Sequence, residues 1–343
     1  MADSAQTAFG MPKPEDSKIV FCVKFSFDLW SIPVSLVAAV RARWPQMRLA
    51  HVEDYGKLPS ELPDADIFVG FMLTPEQLVA ARRLKWMHIT AAGVSQMMRP
   101  DVRARGIVIT NARGVHATPM AEHAMGMLVA LAHKFPEATR AQIAHRWAQE
   151  ELWNTAPRLS ELRGRVLLLV GLGAVGSEIA RYAKAFGMHV WAVTRSGSGD
   201  SQLAERLFPV SDLDRALSEA DYAVVAAPDT PETRAMIGTK QFEAMKPSAY
   251  LINLSRGSLV DEAALADALQ KRRIAGAAID VTEKEPLPPE SPLWDLENLF
   301  VTPHTSAATE ELWERQTELL IENLERWFVG RELLNLVDQS RGY

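Results

Sequence analysis

Short apolar runs alternate with segments of helical periodicity in two stretches of the chain. In the first stretch, five runs rich in branched and aromatic residues are typical of strands: KIVFCVKF, MRLAHV, DIFVGF, KWMHIT and IVITN. Helical patterns such as PVSLVAAVRARW and PEQLVAARR lie between some of them. Because strands that alternate with helices form parallel sheets covered on both faces, this stretch predicts a doubly wound domain.

The second stretch repeats the pattern with six strand-like runs, RVLLLVG, HVWAV, YAVVAA, YLINLS, AGAAID and LFVTP, and helices such as SEIARYAKAFG and DEAALADALQ. The predicted fold class is therefore α/β, with two doubly wound parallel-sheet domains. Between the stretches, PMAEHAMGMLVALAHKFPEATRAQIAHRW predicts a long helix interrupted at Pro136, which either joins the domains or packs against a second subunit. The segment ATEELWERQTELLIENLERWFVG predicts a further amphipathic helix that ends near Gly330.

Composition narrows the class of protein. A chain of 343 residues is long for one hydrophobic core and suits two. The net charge of −6 gives no reason to expect nucleic acid or an anionic membrane as a partner. Cys22 is the only cysteine, which excludes an intramolecular disulfide and a cysteine metal cluster and predicts a buried, inert thiol. The N-terminal segment has no apolar core of signal-peptide length, so we expect a cytoplasmic protein.

A glycine motif follows one of the predicted strands directly. VLLLV runs into Gly171-Leu-Gly173-Ala-Val-Gly176, and a helical pattern begins at once. Gly171 permits a tight turn, Gly173 lets backbone approach a pyrophosphate, and Gly176 lets helix and strand pack closely. A plain glycine turn is the alternative, but strand, motif and helix in register favour a dinucleotide site at the helix N-terminus.

The end of the next strand bears on which dinucleotide binds. A site for NAD usually carries an acid there, whereas this chain has Thr194, Arg195 and Ser196 in HVWAVTRSGSGD, and Asp200 lies too far along the loop. An arginine beside hydroxyl groups suits a 2′-phosphate. We therefore expect NADP(H) to be favoured and NAD(H) to be possible; an exposed loop arginine in an enzyme that accepts both is the alternative.

Polar residues follow three strands of the second stretch. Arg256 follows YLINLS, Glu283 and Glu285 follow AGAAID, and His304 follows LFVTP. Because ligands bind beyond the carboxyl ends of parallel strands, an arginine, a carboxylate and a histidine should converge near the nicotinamide. Arg256 could instead pair with an acid, and Glu283 could be the working carboxylate. No H-E-x-x-H or G-x-S-x-G arrangement offers a rival chemistry.

These motifs together resemble the D-isomer-specific 2-hydroxyacid dehydrogenase family. The glycine motif, INLSRGSLVDEAAL, AIDVTEKEPLP, SPLW and VTPHTS occur in matching order and spacing, and AAGV at 91–94 and AEHA at 121–124 extend the resemblance over most of the chain. The resemblance implies an enzyme that transfers a hydride between a nicotinamide cofactor and a small 2-keto or 2-hydroxy acid, without a metal. One departure is Ala226, where many members carry histidine.

The resemblance implies roles that the chemistry supports. Arg256 would hold the substrate carboxylate and carbonyl oxygen, and His304 would donate a proton to that oxygen or remove one. Glu285, which directly precedes a proline as in the family, would fix the tautomer of His304 and favour its imidazolium form. The remaining predicted cofactor contacts are Ala174, Val175, Pro228 and Asp280, and the remaining predicted substrate contacts are Ala92, Gly93 and Val94. The other histidines of the second stretch and central helix are expected to be structural: His123, His133, His145 and His189.

The resemblance also implies a domain order and a subgroup. The cofactor domain, 118–305, would be inserted into a substrate domain formed by 1–117 and 306–343, with the active site in the cleft and a homodimer formed through the segment near 118–150. WAVTRS and LVDQSRGY resemble NADPH-preferring glyoxylate and hydroxypyruvate reductases, which implies reduction of those or a related 2-keto acid. Trp147, Trp153 and Trp313 could line the pocket, although packing is the expected role.

Two other functions remain open at this point. A dinucleotide-sensing corepressor would use the same fold to bind protein partners, with little turnover. A different Rossmann enzyme, such as a methyltransferase, would not need an arginine, a glutamate and a histidine at successive strand ends. Turnover of 2-keto acids distinguishes the first of these from a reductase.

Overall fold

The structure, a computed structural model, describes residues 12–94 and 97–339. The chain divides into two compact units: unit 1 comprises 1–116 and 308–343, and unit 2 comprises 117–307. The predicted domain boundaries lie after residues 117 and 305, and the boundaries between the two units lie after residues 116 and 307. Most of the N-terminal segment, and the last four residues of LVDQSRGY, lie outside the described residues. Within the described ranges, no helix is both long and apolar enough to cross a membrane.

Among the described residues before 117, unit 1 has five strands and four α-helices. The strands are β1 (Lys18–Cys22), β2 (Arg48–His51), β3 (Ile67–Gly70), β4 (Trp86–Ile89) and β5 (Val108–Asn111). The helices are α1 (Val34–Arg43), α2 (Leu58–Glu61), α3 (Pro75–Ala80) and α4 (Pro100–Arg103). Each predicted strand of the first stretch is present. Helix α3 begins with a capping box, in which Thr74 and Gln77 bond each other's backbone N–H.

Unit 2 begins with helices and continues with alternating strands and helices. The helices are α5 (Ala117–Ala132), α6 (Phe135–Ile143), α7 (Gln149–Asn154), α8 (Ala174–Ala185), α9 (Leu213–Glu219), α10 (Thr239–Ala244) and α11 (Glu262–Gln270). The strands are β6 (Val166–Val170), β7 (His189–Thr194), β8 (Arg206–Pro209), β9 (Tyr222–Val225), β10 (Tyr250–Asn253), β11 (Gly276–Ile279) and β12 (Leu299–Val301). The helical break comes near Pro136, which lies in the first turn of α6.

The final helix returns the chain to unit 1. Helix α12 (Leu312–Phe328) buries Leu320, Leu324 and Trp327 against the sheet, and the ring of Trp327 lies 5.4 Å from that of Trp86 on β4. Long-range contact of this kind, rather than helix propensity alone, stabilises an amphipathic helix.

Both sheets are parallel, which confirms the predicted fold class. The sheet of unit 1 has the order β2-β1-β3-β4-β5, and that of unit 2 has the order β12-β11-β10-β9-β6-β7-β8. The direction of winding reverses between β1 and β3 in the first sheet and between β6 and β9 in the second. Ligands of doubly wound folds bind at such switch points, beyond the carboxyl ends of the strands.

The apolar cores lie on both faces of each sheet. On β6, Leu168 and Val170 join one core cluster, whereas Leu167 and Leu169 join another on the opposite face. This arrangement explains why the strands read as continuous apolar runs rather than alternating ones. Strand β8 was not predicted, because its four residues, RLFP, include arginine and proline and form the edge of the sheet.

The thiol of Cys22 is buried, as expected. Burial, with a smaller contribution from Asp54, raises the pKa of this thiol to about 11.

His88 on β4 is a further buried titratable group of unit 1. Its Nδ1 lies 2.8 Å from Oγ1 of Thr110, which also accepts a hydrogen bond from Nε1 of Trp86, and its Nε2 has no partner. Burial lowers the pKa of His88 from 6.5 to about 4. The neutral imidazole is therefore the form that the folded protein accommodates.

Acidification should destabilise the protein through His88. Because the folded-state pKa lies below the unfolded one, the unfolded chain binds the proton more readily, and stability is lost as pH falls from 6.5 towards about 4. The loss from this group between pH 7 and pH 5 should be about 2 kcal/mol. Urea unfolding at pH 7 and at pH 5 measures this change in the free energy of unfolding. Between the two pH values, the His88→Asn variant should lose about 2 kcal/mol less of it than the unsubstituted protein. Equal losses in the two proteins would contradict the assignment.

Candidate active site

The glycine turn lies at the switch point of the second sheet, between the end of β6 and the start of α8. Gly171 has a φ of +108°, and a Cβ there would come within 2.7 Å of the carbonyl oxygen of Ala226. A Cβ on Gly176 would come within 2.2 Å of the carbonyl oxygen of Gly171. A Cβ on Gly173 would meet nothing within 4 Å, so the backbone at that position is open to a ligand.

This turn fits the pyrophosphate of a dinucleotide. Helix α8 spans twelve residues, and its N-cap, Gly173, has no side chain that could cap the first turn. The earliest intrahelical bond runs from the N–H of Ser177 to the carbonyl of Gly173, so the N–H groups of Ala174 and Val175 point out of the helix N-terminus. These groups and the positive end of the helix dipole favour phosphate oxygens.

The loop after β7 carries a cluster of exposed donors. Arg195, Ser196 and Ser198 are exposed, and the hydroxyl groups of the two serines lie 2.6 Å apart. The hydroxyl of Thr194 donates to the carbonyl of Ser198 at 2.8 Å and so closes the loop. Asp200 accepts from the N–H of Gln202, which ties its carboxylate to the following turn. Ser198 was not predicted as a member of this loop cluster, although the second serine of TRSGS was visible in the sequence.

The loop after β9 continues the same edge of the sheet. Pro228 is exposed there, and its carbonyl oxygen accepts a hydrogen bond of 2.7 Å from the hydroxyl of Thr233. Ala226, the departure noted above, lies directly before this loop and packs beside the glycine turn.

Arg256 lies on a loop whose backbone is held by hydrogen bonds to neighbouring residues. Asn253, buried at the end of β10, donates to the carbonyl of Arg256 at 3.0 Å and accepts from the N–H of Ser255. The hydroxyl of Ser255 donates to the carbonyl of Ala227. The guanidinium of Arg256 is exposed, with Nη1 donating to the carbonyl of Ser255 at 2.8 Å. The remaining N–H groups of its planar fork suit a carboxylate.

Gly257 brings the Arg256 loop against the loop that follows β11. A Cβ at Gly257 would lie 2.0 Å from the carbonyl carbon of Thr282 and 2.2 Å from the nitrogen of Glu283, so a larger residue would push the two loops apart. Gly257 was not predicted as a site residue, although the Arg-Gly pair is visible in the sequence.

Glu285 and His304 form a hydrogen-bonded pair. Nδ1 of His304 lies 2.6 Å from Oε2 of Glu285, and Oε1 of the same carboxylate accepts from the N–H of Thr282 at 3.1 Å. Nδ1 of His304 therefore carries a proton, which it donates in a hydrogen bond to the carboxylate of Glu285. Nε2 is left available for a further partner. Both side chains are about 40% exposed, which keeps the pair accessible to a ligand. Both candidate glutamates are exposed, and Glu285 is the one that makes this contact.

Asp280 organises the backbone around His304. Its carboxylate is buried and accepts from the hydroxyl of Thr302 at 2.5 Å and from the N–H groups of Thr305 and Ser306 at 2.9 Å each. The N–H of His304 donates to the carbonyl of Asp280 at 2.8 Å. These bonds hold His304 at a φ of +54°, a conformation that residues other than glycine rarely adopt. The cofactor contact predicted for Asp280 stays a prediction.

His123 on α5 lies beside Thr302 and Asp280. Its Nε2 lies 3.1 Å from the hydroxyl of Thr302 and 3.8 Å from the carboxylate of Asp280. Burial lowers the pKa of His123, and the nearby carboxylate of Asp280 only partly offsets this. His189, in contrast, is exposed at the start of β7 and pairs with Glu205.

The predicted carboxylate-binding loop belongs to unit 1 and follows β4. Ala92 and Gly93 are exposed and Val94 is buried. The side chain of Asn111 donates to the carbonyl of Ala92 at 2.7 Å, which fixes the start of the loop.

The fold and these contacts define the class: an α/β oxidoreductase with a dinucleotide-binding unit and a polar site at the carboxyl edge of its sheet. The model of the D-isomer specific 2-hydroxyacid dehydrogenase NAD binding domain matches residues 125–306, more than half of the chain. The chain belongs to the D-isomer-specific 2-hydroxyacid dehydrogenase family, and it is an NAD(P)-dependent oxidoreductase.

Relatives of known name are reductases and dehydrogenases. A glyoxylate reductase from Korarchaeum cryptofilum is 36% identical over 283 residues, which are 81% of this chain and 84% of that protein. A D-3-phosphoglycerate dehydrogenase from Archaeoglobus fulgidus is 36% identical over 264 residues, 77% of this chain and 49% of the relative. The solved structure of an NADPH-dependent glyoxylate/hydroxypyruvate reductase from Sinorhizobium meliloti, in complex with NADP and malonate, has a TM-score of 0.72 at 30% identity and covers 95% of this chain and 98% of its own. These similarities do not favour the corepressor hypothesis.

Proposed function

We propose that the protein reduces a 2-keto acid to the 2-hydroxy acid with NADPH, with glyoxylate, hydroxypyruvate or a related keto acid as substrate. The observation that carries the proposal is the 2.6 Å contact between His304 and Glu285, on a sheet edge that also holds Arg256 and the glycine turn. A histidine oriented by a carboxylate, beside an accessible guanidinium, suits acid–base chemistry on a carbonyl next to a carboxylate.

In this proposal His304 is the general acid. With Nδ1–H bonded to Glu285, its Nε2 presents a proton to the carbonyl oxygen during reduction and removes one from the hydroxyl group in reverse. Arg256 holds the carboxylate and polarises the carbonyl oxygen. The carboxylate contact expected from the backbone around Gly93 and Val94 stays a prediction. The nicotinamide, when bound, supplies the hydride.

The preference for NADPH rests on the loop after β7. Arg195, Ser196 and Ser198 place a guanidinium and two hydroxyl groups where an NAD site carries an acid. Charge-assisted hydrogen bonds from such donors stabilise a 2′-phosphate. The NADPH-dependent relative from Sinorhizobium meliloti supports this choice.

An assay of the purified protein tests the proposed function. NADPH and NADH oxidation are followed with glyoxylate, hydroxypyruvate and pyruvate, and the expected result is reduction with a higher kcat/KM for NADPH than for NADH. Binding of NADPH without measurable reduction of any 2-keto acid would overturn the proposal and would revive the corepressor alternative.

We also propose that the protein is a homodimer that associates through the helical segment 117–154. Several large apolar side chains are exposed on it: Phe135, Ile143, Trp147 and Trp153. Trp147 is 93% exposed, which is costly for an indole that nothing covers. Sedimentation equilibrium should give twice the chain mass of 38.0 kDa; a monomer at micromolar concentration would refute the proposal. The cytoplasmic location stays a prediction.

A further inference from the structure

A second histidine of unit 2, His123, contacts the turn that carries His304. It lies on α5, and its Nε2 is 3.1 Å from Oγ1 of Thr302, the residue directly after β12. Thr302 and His304 are two positions apart in the chain. The contact therefore joins α5 to the end of the strand that His304 follows, entirely within unit 2.

The hydrogen bonds around Thr302 have a defined direction. Its hydroxyl donates to Oδ1 of Asp280 at 2.5 Å. Because an ionised carboxylate only accepts hydrogen bonds, the single proton of this hydroxyl is used there. The oxygen of Thr302 can then only accept from His123, so Nε2 of His123 is the nitrogen that carries the proton. The bonds run from His123 through Thr302 to Asp280.

Burial makes these bonds hard to replace. The side chain of Asp280 is 0% exposed, and its two oxygens also accept from the N–H groups of Thr305 and Ser306 at 2.9 Å each. Loss of one donor to a buried carboxylate exposes its full desolvation cost. In the interior, successive hydrogen bonds also polarise and strengthen one another. The N–H of His123 therefore strengthens the bond by which Thr302 holds Asp280.

Asp280 in turn shapes the backbone on both sides of His304. Its carbonyl accepts from the N–H of His304 at 2.8 Å, and its carboxylate holds the two residues that follow. The φ of His304 is +54°. Such a conformation persists in a residue with a Cβ only where the surrounding contacts over-determine it. The orientation of the imidazole of His304 therefore depends on the bonds that Asp280 makes.

His123 contributes a directed N–H group rather than a charge. Burial lowers the pKa of His123, and the carboxylate of Asp280, 3.8 Å away, only partly offsets this. Near neutral pH the imidazole is therefore uncharged. An uncharged side chain with an N–H at the same position should be able to replace it.

We propose that His123 is a positioning residue for His304, and that it acts through Thr302 and Asp280 to hold the imidazole in the orientation that proton transfer needs. The inference rests on the proposed function, in which His304 is the general acid. A purely structural role for His123, as expected from the sequence, is the alternative.

Two substitutions of His123 test the proposal by steady-state kinetics. His123→Leu should lower kcat about tenfold, since misplacement of a reacting group by about 1 Å can cost about 100-fold. The KM values for the keto acid and for NADPH should stay within about twofold, because the lost interaction supports only the transition state. His123→Gln should restore kcat to within about threefold, because its amide N–H can donate to Thr302 as Nε2 does.

A double-mutant cycle tests the path through the hydroxyl of Thr302. Thr302→Val removes that hydroxyl without touching α5, and it should itself lower kcat at least about tenfold. In the Thr302→Val background, His123→Leu should change kcat by less than about twofold. A tenfold loss on top of that of Thr302→Val would show that His123 acts by another route, and it would overturn the proposal.

Nuclear magnetic resonance of protein labelled with ¹⁵N-histidine tests the proposal without turnover. We expect a proton on Nε2 of His123 and on Nδ1 of His304 in the unsubstituted protein. His123→Leu should weaken the Nδ1–H signal of His304, because the ring then samples other orientations, and His123→Gln should restore it. An unprotonated Nε2 in His123 at neutral pH, or an unchanged His304 signal in His123→Leu, would contradict the proposal.

His133→Leu is the matched control. His133 directly follows α5, is exposed, and stacks on Phe135 with ring centroids 5.9 Å apart. Its substitution makes the same chemical change at the end of the same helix and should leave both kcat and the signal of His304 unaltered.

The outcomes separate this inference from the proposed function. If no 2-keto acid is reduced, the proposed function fails, and the resonance of His304 still decides whether His123 orients it. If keto acids are reduced but His123→Leu keeps the kcat of the unsubstituted protein, only the role of His123 is overturned. The same holds if His123→Gln loses as much activity as His123→Leu, because a structural role alone would then explain both.

Discussion

Replacing His304 with alanine is expected to lower kcat for 2-keto acid reduction by a factor of about 100 or more, which is typical for loss of a general acid. The structure supports so large an effect because the imidazole is oriented for one task. Glu285 holds Nδ1 at 2.6 Å, and Asp280 fixes the backbone through three hydrogen bonds to the surrounding loop. Alanine removes the proton donor and leaves this support in place. Steady-state turnover with NADPH and a good keto acid measures the effect.

His189→Ala is the matched control for this substitution. His189 lies in the same unit, is similarly exposed and also pairs with a glutamate, Glu205, but it stands at the start of β7, at the opposite edge of the sheet. Its loss should leave kcat unchanged within a factor of two or so. NADPH binding, followed by nicotinamide fluorescence, should persist in His304→Ala. Near-normal turnover in that variant would remove His304 from the mechanism.

The second large effect concerns the cofactor. Arg195→Asp should lower the ratio of kcat/KM for NADPH to that for NADH by about 100-fold or more. Loss of a charge-assisted hydrogen bond costs about 1.5–3 kcal/mol, and the new carboxylate would repel a 2′-phosphate while offering an acceptor to a 2′-hydroxyl group. Initial rates over a range of each cofactor, at saturating keto acid, give the ratio.

A matched control separates the local contact from a general change of charge. Arg215→Asp makes the same charge change on α9, where Arg215 is exposed and lies 3.5 Å from Asp212. It should leave the ratio nearly unchanged. An unaltered cofactor ratio in Arg195→Asp, or an equal shift in both variants, would refute the phosphate-binding role of Arg195.

The sequence by itself determined the features that depend on local geometry. The glycine turn was readable because Gly171 and Gly176 are constrained by contacts within one strand–turn–helix unit and a neighbouring strand. Arg256 and His304 were readable because each directly follows an apolar strand, and parallel strands all end at the same edge. Eleven predicted strands are present for the same reason, since strands buried on both faces are continuous apolar runs.

The tertiary structure decided what depends on residues far apart in the chain. It showed that Glu285 rather than Glu283 reaches His304, and that His123 meets Thr302 across 179 positions. It also brought the rings of Phe25 and Phe71 together from two different loops, with their centroids 6.3 Å apart. Hydrophobic periodicity reports which face of an element is buried, but not which distant loop lies beside it. Packing of whole elements fixes those neighbours, so only the folded chain reveals them.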